Sequence, residues 1–470
     1  MSSAESHCRR VEKDLELNFA SSRLLIAWYG DDFTGAAAVM EVLAFAKIPT
    51  MLFLEFPSPE QLARFPDLKA IGIASTARTW SPQEMDAALP NAFRSMKALN
   101  AELTHYKICS TLDSSPETGS IGRAIEIGAK IWAPEMVPVL VAAPQMRRYQ
   151  VFGQLFAGHG DHVYRLDQHP VMANHPVTPM TQPDVARHIS AQSNQVQAAA
   201  RSLEHDVDND AFSPPAHLGK IQVRTIDCID DTTEARAGRM LWRNRNENPF
   251  VVGSQGIEYA LIRHWRDTGQ LGQSTPPKSV GYAQGMVIVS GSVSATTGAQ
   301  IKWARSNGFA CIRFDASKVC ETQDTLFLEI KRVVNDALKV LSDGQAPLIF
   351  SAQGPDDAAV AALAKAAADS GLNMGEANKR IGQALGEVLT SVLARSGVRR
   401  AVISGGDTSG FVTQKLGIFA LSALAPTIPG ASLYLAHSEG PMDGLELALK
   451  GGQMGSLDYF GWIRDGGGTR

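Results

Sequence analysis

The chain has only five cysteines in 470 residues, and none of them forms a Cys-x-x-Cys pair. Cys8, Cys109, Cys228, Cys311 and Cys320 are too scattered for a disulfide framework or a structural zinc site. They read as reduced thiols in a cytoplasm. No run approaches the roughly 18 apolar residues that cross a membrane, and the charged opening Met1 to Arg10 lacks the apolar core of a secretory signal. The expectation is a cytoplasmic protein with no membrane partner. Net charge is only -4, so no basic field draws in nucleic acid, although a local Arg/Lys cluster can still bind a small anion. Four catalytic signatures are also missing. There is no Gly-x-x-x-x-Gly-Lys-Ser/Thr loop, which excludes a P-loop enzyme. No Gly-x-Gly-x-x-Gly opens a helix after the first strand, which argues against a dinucleotide-dependent dehydrogenase. Neither His-Glu-x-x-His nor Asp-x-Asp-x-Thr occurs, and no other metal spacing replaces them, so no metal ligands are assigned.

Hydrophobic residues make up 44% and charged residues 20% of the chain, the mixture of a folded protein. Its length exceeds what one core organises, so two domains of roughly 150–250 residues are expected. Buried-strand runs at Leu24–Tyr29, Thr50–Leu54, Ala70–Ala74, Tyr106–Cys109 and Val139–Ala142 alternate with helical stretches such as Ala36–Ala46, Glu84–Leu99 and Ile121–Ile131. That rhythm predicts parallel sheets covered by helices on both faces. Residues 191–220 read as a helix followed by an exposed loop. The segment 267–284 is rich in Gly, Ser, Thr and Pro and reads as a linker between domains at 21–266 and 285–470. Beyond it the alternation resumes with Met286–Ser290, Ala310–Phe314, Leu348–Ser351, Ala401–Ser404 and Ser432–Leu435. The fold class is α/β: two α/β domains with mainly parallel sheets and an active-site cleft between them.

Glycines, hydroxyls and acids gather where these strands end, and such positions bind ligands in α/β sheets. Asp31 and Asp32 follow the first strand and precede Thr34 and Gly35. Adjacent carboxylates there are costly unless they meet a cation, a donor or a substrate hydroxyl. Asp32 or Thr34 can also simply cap the next helix. In Lys107–Arg123, Asp113 can orient a sugar hydroxyl while Lys107 and Arg123 hold a carboxylate; the plainer alternative is a Ser/Thr/Asp turn. Arg147 or Arg148 offers a fork for carboxylate or phosphate, or else forms an ordinary surface pair. The proline-rich run Tyr164–Met180 can be neither a long helix nor a central strand and reads as a rigid loop folding over a substrate. Two further turns, Ser290-Gly291-Ser292 and Ser404 to Ser409, let backbone approach a ligand closely and point to phosphates, hence to a nucleotide enzyme. A third, Lys450 to Gly455, can close over a nucleotide.

Taken in order, these motifs resemble the four-carbon acid sugar kinase family. The carriers are Asp31-Asp32-Phe33-Thr34-Gly35-Ala36, Ser110-Thr111-Leu112-Asp113-Ser114, Ser290-Gly291-Ser292 and Gly405-Gly406-Asp407-Thr408, within a likeness running from about residue 24 to 460. The resemblance implies an ATP- and Mg²⁺-dependent kinase of a small sugar acid. The acid would occupy the N-terminal domain and the nucleotide the C-terminal one. Family activities include 3-oxo-tetronates, threonate and erythronate, and relatives take branched oxo acids such as 3-oxo-isoapionate. Asp31 or Asp32 would serve the chemistry. Thr34, Lys107, Asp113, Ser114, Arg123, Arg147 and Arg148 would face the acid. Ser290, Gly291, Ser292, Gly405, Gly406, Asp407, Thr408, Gly451 and Gly452 would hold the nucleotide. The chain departs from the family at Gly451-Gly452-Gln453-Met454-Gly455, where many members have Gly-Gly-Phe-Gly, and in the turn Ser114–Gly119. The alternatives are a non-catalytic sensor of a sugar acid and a sugar-acid dehydrogenase. A homodimer is the expected assembly, twofold symmetry being the commonest.

Overall fold

The computed structural model describes residues 23–203, 219–275 and 277–470. Cys8 and the expected loop at 204–218 lie outside them. Contacts divide the chain into two units, Met1–Thr275 and Pro276–Arg470.

Unit 1 runs β1 (Ile26–Gly30), α1 (Phe33–Phe45), β2 (Thr50–Phe53), α2 (Pro59–Ala63), β3 (Ala70–Ile73), α3 (Pro82–Ala98), β4 (Leu103–Lys107), α4 (Ile121–Trp132) and β5 (Val137–Leu140). A small antiparallel sheet follows, β6 (Arg148–Val151), β7 (Gln154–His159) and β8 (His162–Arg165). Then come α5 (Val185–Ser190), β9 (Val196–Arg201), β10 (Ile221–Ile226), α6 (Asp231–Arg243), β11 (Phe250–Gly253) and α7 (Gly256–Asp267). The main strands are ordered β2-β3-β1-β4-β11-β5-β10-β9, and every pair is parallel. Helices cover both faces, so β1 to β5 are buried throughout. Helix α3 shows how the sequence dictates its part. Ser81 and Glu84 form a capping box at its start, and Met85, Leu89, Phe93 and Met96 form one buried stripe.

Unit 2 runs β12 (Val287–Ser290), α8 (Ala295–Arg305), β13 (Phe309–Arg313), α9 (Gln323–Ser342), β14 (Ala346–Phe350), α10 (Ala358–Asp369) and α11 (Met374–Ser396). It continues with β15 (Arg400–Ser404), α12 (Gly406–Lys415), β16 (Ile418–Ala425), β17 (Leu433–Ser438), β18 (Glu446–Lys450) and α13 (Tyr459–Arg464). Its strands are ordered β13-β14-β12-β15-β18-β17-β16. The first five are parallel, and β17 and β16 join antiparallel. Each unit is therefore α/β with a mainly parallel sheet.

The two sheets share one device. In unit 1 the chain places β2 and β3 on one side of β1 and then crosses to β4 on the other. In unit 2 it places β13 and β14 on one side of β12 and then crosses to β15. The strand order reverses at β1/β4 and at β12/β15, and the connections diverge at the C-terminal ends of those strands.

One strand departs from the sequence reading. Residues 196–201 form edge strand β9 instead of a helix. The Ala-rich segment Val196–Arg201 favours a helix by itself, but pairing in register with Ile221–Ile226 overrides that preference. The segment 267–284 is held at both ends. Ser274 Oγ donates to the Phe45 carbonyl at 3.1 Å within unit 1. Val280 N and Ala283 N donate to the Gly466 and Arg464 carbonyls within unit 2. Among the described residues no helix is long and apolar enough to cross a membrane.

Helices α6 and α7 touch through Gly238, where any Cβ would overlap the Ala260 carbonyl. Gly238→Ala must push backbone apart, and a lower urea midpoint corresponding to about 1–3 kcal/mol is expected.

Candidate active site

Asp31 and Asp32 leave the end of β1 at the first reversal point. The Asp31 N–H donates to the Lys107 carbonyl at the end of β4, 2.9 Å away, which holds the two strand ends level. The feature absent from the sequence reading is Arg78. Its Nη2 donates to Asp31 Oδ1 and to Asp32 Oδ1, both at 2.7 Å, and its Nε reaches Asp31 Oδ2 at 3.2 Å. Arg78 follows the run Ser75-Thr76-Ala77 directly after β3, so the strand-end rule applied to β1 and β4 would have found it.

The two acids differ in what remains open. Asp31 is only 4% exposed, and both of its oxygens lie on Arg78. Burial outweighs the Arg78 charge and holds its carboxyl above the usual range. Burial works against the Arg78 charge too, but Asp31, Cys109 and Asp32 push the guanidinium well above its ordinary value. Asp32 Oδ1 caps α1 by accepting from Gly35 N at 2.9 Å as well as from Arg78. No described group donates to its Oδ2, and the side chain is 27% exposed. Capping and a free carboxylate oxygen thus coexist in one residue.

Lys107 is buried, and its Nζ donates to the Ile108 carbonyl at 2.7 Å. A Cβ at Gly35 would meet that Nζ at 2.7 Å and collide with Asp32 Oδ1. Glycine is required there because a cation and a carboxylate crowd the first turn of α1, on which Thr34 also sits.

The loop after β4 carries Asp113 on a constrained backbone. Leu112 is fully buried with φ of 53°, a left-handed conformation unfavourable for leucine. Thr178 Oγ1 donates to Asp113 Oδ1 and also contacts His175 Nδ1 at 2.9 Å. The proline-rich run therefore lies on Asp113. Beneath it, Ser114 Oγ contacts His188 Nε2 and receives a bond from Gln192 Nε2, each at 2.9 Å.

The arginines separate. Arg148 is half-buried with Nη1 on the Met146 and Arg147 carbonyls. Burial lowers it while the Cys109 thiol, shared with Arg78, raises it. Arg147 is spent on the carbonyls of Gly160 and His162 in the β7–β8 hairpin. Arg123 is neutralised by Asp86 and Glu126. Lys107 and Arg123 thus form no joint carboxylate clamp, because helix-face acids already occupy the Arg123 fork.

In unit 2 the glycine turns converge at the second reversal point. Gly291 N donates to the Ser404 carbonyl at 3.1 Å, and Gly405 N donates to the Lys450 carbonyl at 2.9 Å. A Cβ on Gly291 would strike Thr408 Oγ1, and one on Gly452 would come within 2.5 Å of Ser292 Oγ. Gly405, with φ of 127°, starts α12, and among the described residues no side chain caps that helix. Gly406 is exposed at its first position. Thr297 Oγ1 donates to the Gly452 carbonyl at 2.8 Å, and Ser294 Oγ donates to the same oxygen. The departure at Gln453-Met454 is held by α8, where Gln300 Nε2 donates to the Met454 carbonyl at 3.0 Å. Two close backbone approaches, an uncapped helix start and several hydroxyls make a cradle for an anion.

Comparison with known proteins agrees with this division. A sugar-binding N-terminal domain matches residues 26–261 and a nucleotide-binding C-terminal domain matches residues 287–460. The chain belongs to the four-carbon acid sugar kinase family. A 3-oxo-isoapionate kinase of Paraburkholderia graminis is 42% identical over 94% of this chain and 94% of that protein. A 3-oxo-tetronate kinase of Pseudomonas savastanoi pv. phaseolicola is 29% identical over 94% and 97%. A crystal structure from Salmonella typhimurium LT2, described as that of a tRNA synthase, has a TM-score of 0.72 at 24% identity, covers 93% of this chain and 98% of its own, and shares the fold.

His188 supplies a pH test of the Asp113 support. Burial pulls its imidazole down to about 4, against about 6.5 when unfolded. The unfolded chain binds the extra proton first, so this group's stability is intact above pH 6.5 and is lost as pH falls toward 4. Urea unfolding is expected to show about 2 kcal/mol less stability at pH 5 than at pH 7 from this group. His188→Gln should flatten that difference.

Proposed function

We propose that the chain is an ATP-dependent kinase that phosphorylates a hydroxyl of a small sugar acid, with a branched 3-oxo acid such as 3-oxo-isoapionate as the preferred substrate. The 42% identity to a 3-oxo-isoapionate kinase, against 29% to a 3-oxo-tetronate kinase, supports that preference. The altered turn Ser114–Gly119 supports it too. In this reading the N-terminal domain holds the acid, through Asp113, Lys107 and Arg148. The C-terminal domain holds the nucleotide, through the turns at Ser290–Ser292, Gly405–Thr408 and Gly451–Gly452.

The observation that carries the reading is the asymmetry of the aspartate pair. Asp31 is closed off by Arg78, whereas Asp32 is fixed through Oδ1 and open at Oδ2. Asp32 is therefore the proposed base. The substrate hydroxyl oxygen attacks the terminal phosphorus of ATP, its proton passes to Asp32, the bond to the bridging oxygen breaks and ADP leaves. Mg²⁺ would neutralise the phosphates. Among the described residues no group of three His, Cys, Asp or Glu could hold a metal, so phosphate oxygens and water would be its main ligands.

Coupled ADP release against a panel of 3-oxo-isoapionate, 3-oxo-tetronates, threonate and erythronate tests the substrate. The highest kcat/KM is expected with the branched oxo acid, and no ADP release with any of them would refute the kinase reading. Asp32→Asn is expected to lower kcat by about 10²- to 10⁴-fold with little change in either KM. Near-normal turnover would remove Asp32 from the chemistry.

A further inference from the structure

Strands β12, β15 and β18 lie side by side with their last residues level, Ser290 opposite Ser404 and Ser404 opposite Lys450. Residues level in a parallel ladder point to the same face. Two positions earlier the same face carries Ile288, Val402 and Ala448, which share a core cluster with Ile301 of α8. Beyond the Arg400–Glu446 pair at its start, the face is apolar at this level and then ends in three polar side chains. The hydroxyls of Ser290 and Ser404 are fully buried and have no hydrogen-bond partner.

Lys450 is 1% exposed. Its Nζ donates to Thr297 Oγ1 and to the Gly451 carbonyl, each at 3.1 Å, and no carboxylate among the described residues answers its charge. Burial pulls the ammonium down to about 8. The first turn of α8 lies against it, and a helix start carries partial positive charge of its own. Lysines are almost never buried unless paired, so this one waits for an anion.

The hydrogen bonds show where that anion would sit. The Gly451 carbonyl points to Lys450, and the Gly452 carbonyl points to Thr297 and Ser294. In a trans peptide the N–H points opposite to the carbonyl. The N–H groups of Gly452 and Gln453 are therefore turned away from Lys450 and α8, and no described group accepts from them.

We infer that Lys450 is a positioning residue for the nucleotide's phosphates. It locks the Gly451–Gly452 turn so that two N–H donors face the phosphate, and it places a buried positive charge behind them. This rests on the kinase reading above.

The test compares wild type with Lys450→Met, and with Lys450→Gln, which keeps hydrogen-bonding capacity without charge. Calorimetric titration with ADP and with adenosine, without sugar acid, is the first measurement. Both variants are expected to bind ADP about tenfold more weakly or worse, with adenosine affinity unchanged. In turnover, KM for ATP should rise to a similar extent while KM for the acid stays constant. Unchanged ADP affinity in either folded variant overturns the inference, as does equal weakening of ADP and adenosine. Absence of ADP release by wild type would instead refute the kinase reading, and the two titrations would still decide the role of Lys450.

Discussion

A parallel sheet finishes all its strands on one edge, and where strand order reverses, neighbouring connections leave in opposite directions. The backbone there has no further strand to pair with, yet the strand interiors below it are apolar and dry. The residues gathered at the two reversal points answer that constraint. At β1/β4 the ends are tied by the bond from Asp31 N to Lys107 O, and at β12/β15 by the bond from Gly291 N to Ser404 O. The loops that follow are then free to carry chemistry, while the scaffold below keeps them fixed.

The same edge sets the electrostatics. Two carboxylates at the dry end of a strand repel and lose hydration, and removing one partner from such a buried cluster typically costs about 3–5 kcal/mol. Arg78 resolves this by sharing one guanidinium between Asp31 and Asp32. It does so unevenly, because Asp31 is deeper and takes both arms of the fork. The unevenness leaves one of two similar residues closed and the other open. Sequence alone left either aspartate eligible as the base, because it did not reveal the guanidinium that closes one of them.

Strand-end motifs were legible because they combine a buried apolar run with abrupt glycine, acid and hydroxyl residues, as at Ile26–Asp32 and Ala401–Thr408. Longer-range consequences were not. Arg78 is one basic residue in a short loop, and its partners lie 46 and 47 positions away. Strand β18 escaped although it follows β17 closely and pairs with it, and its parallel partner β15 lies farther back in the chain; Lys450 was visible as the start of a glycine turn but not as a buried charge at a strand end. Arg123 and Arg147 looked available because sequence does not show that Asp86, Glu126 and two hairpin carbonyls already occupy them. Strand β9 reads as helix for a related reason, since its strand state is imposed by β10.

The two reversal points share a geometry and differ in the charge they carry. Unit 1 places Arg78 on Asp31 and leaves one oxygen of Asp32 open, the arrangement that the proposed proton transfer would need. The proposed phosphate site would instead draw on donors and positive charge. Around the described part of the unit 2 cradle the side chains are hydroxyls, the close contacts are glycine backbone, and the buried ion is Lys450. Under the proposed function, an acid in place of Lys450 would repel phosphate, and a lysine in place of Asp32 could not take the proton. On the proposed reading the charge at each strand end matches the group it would receive, while the reversal of strand order makes room for it.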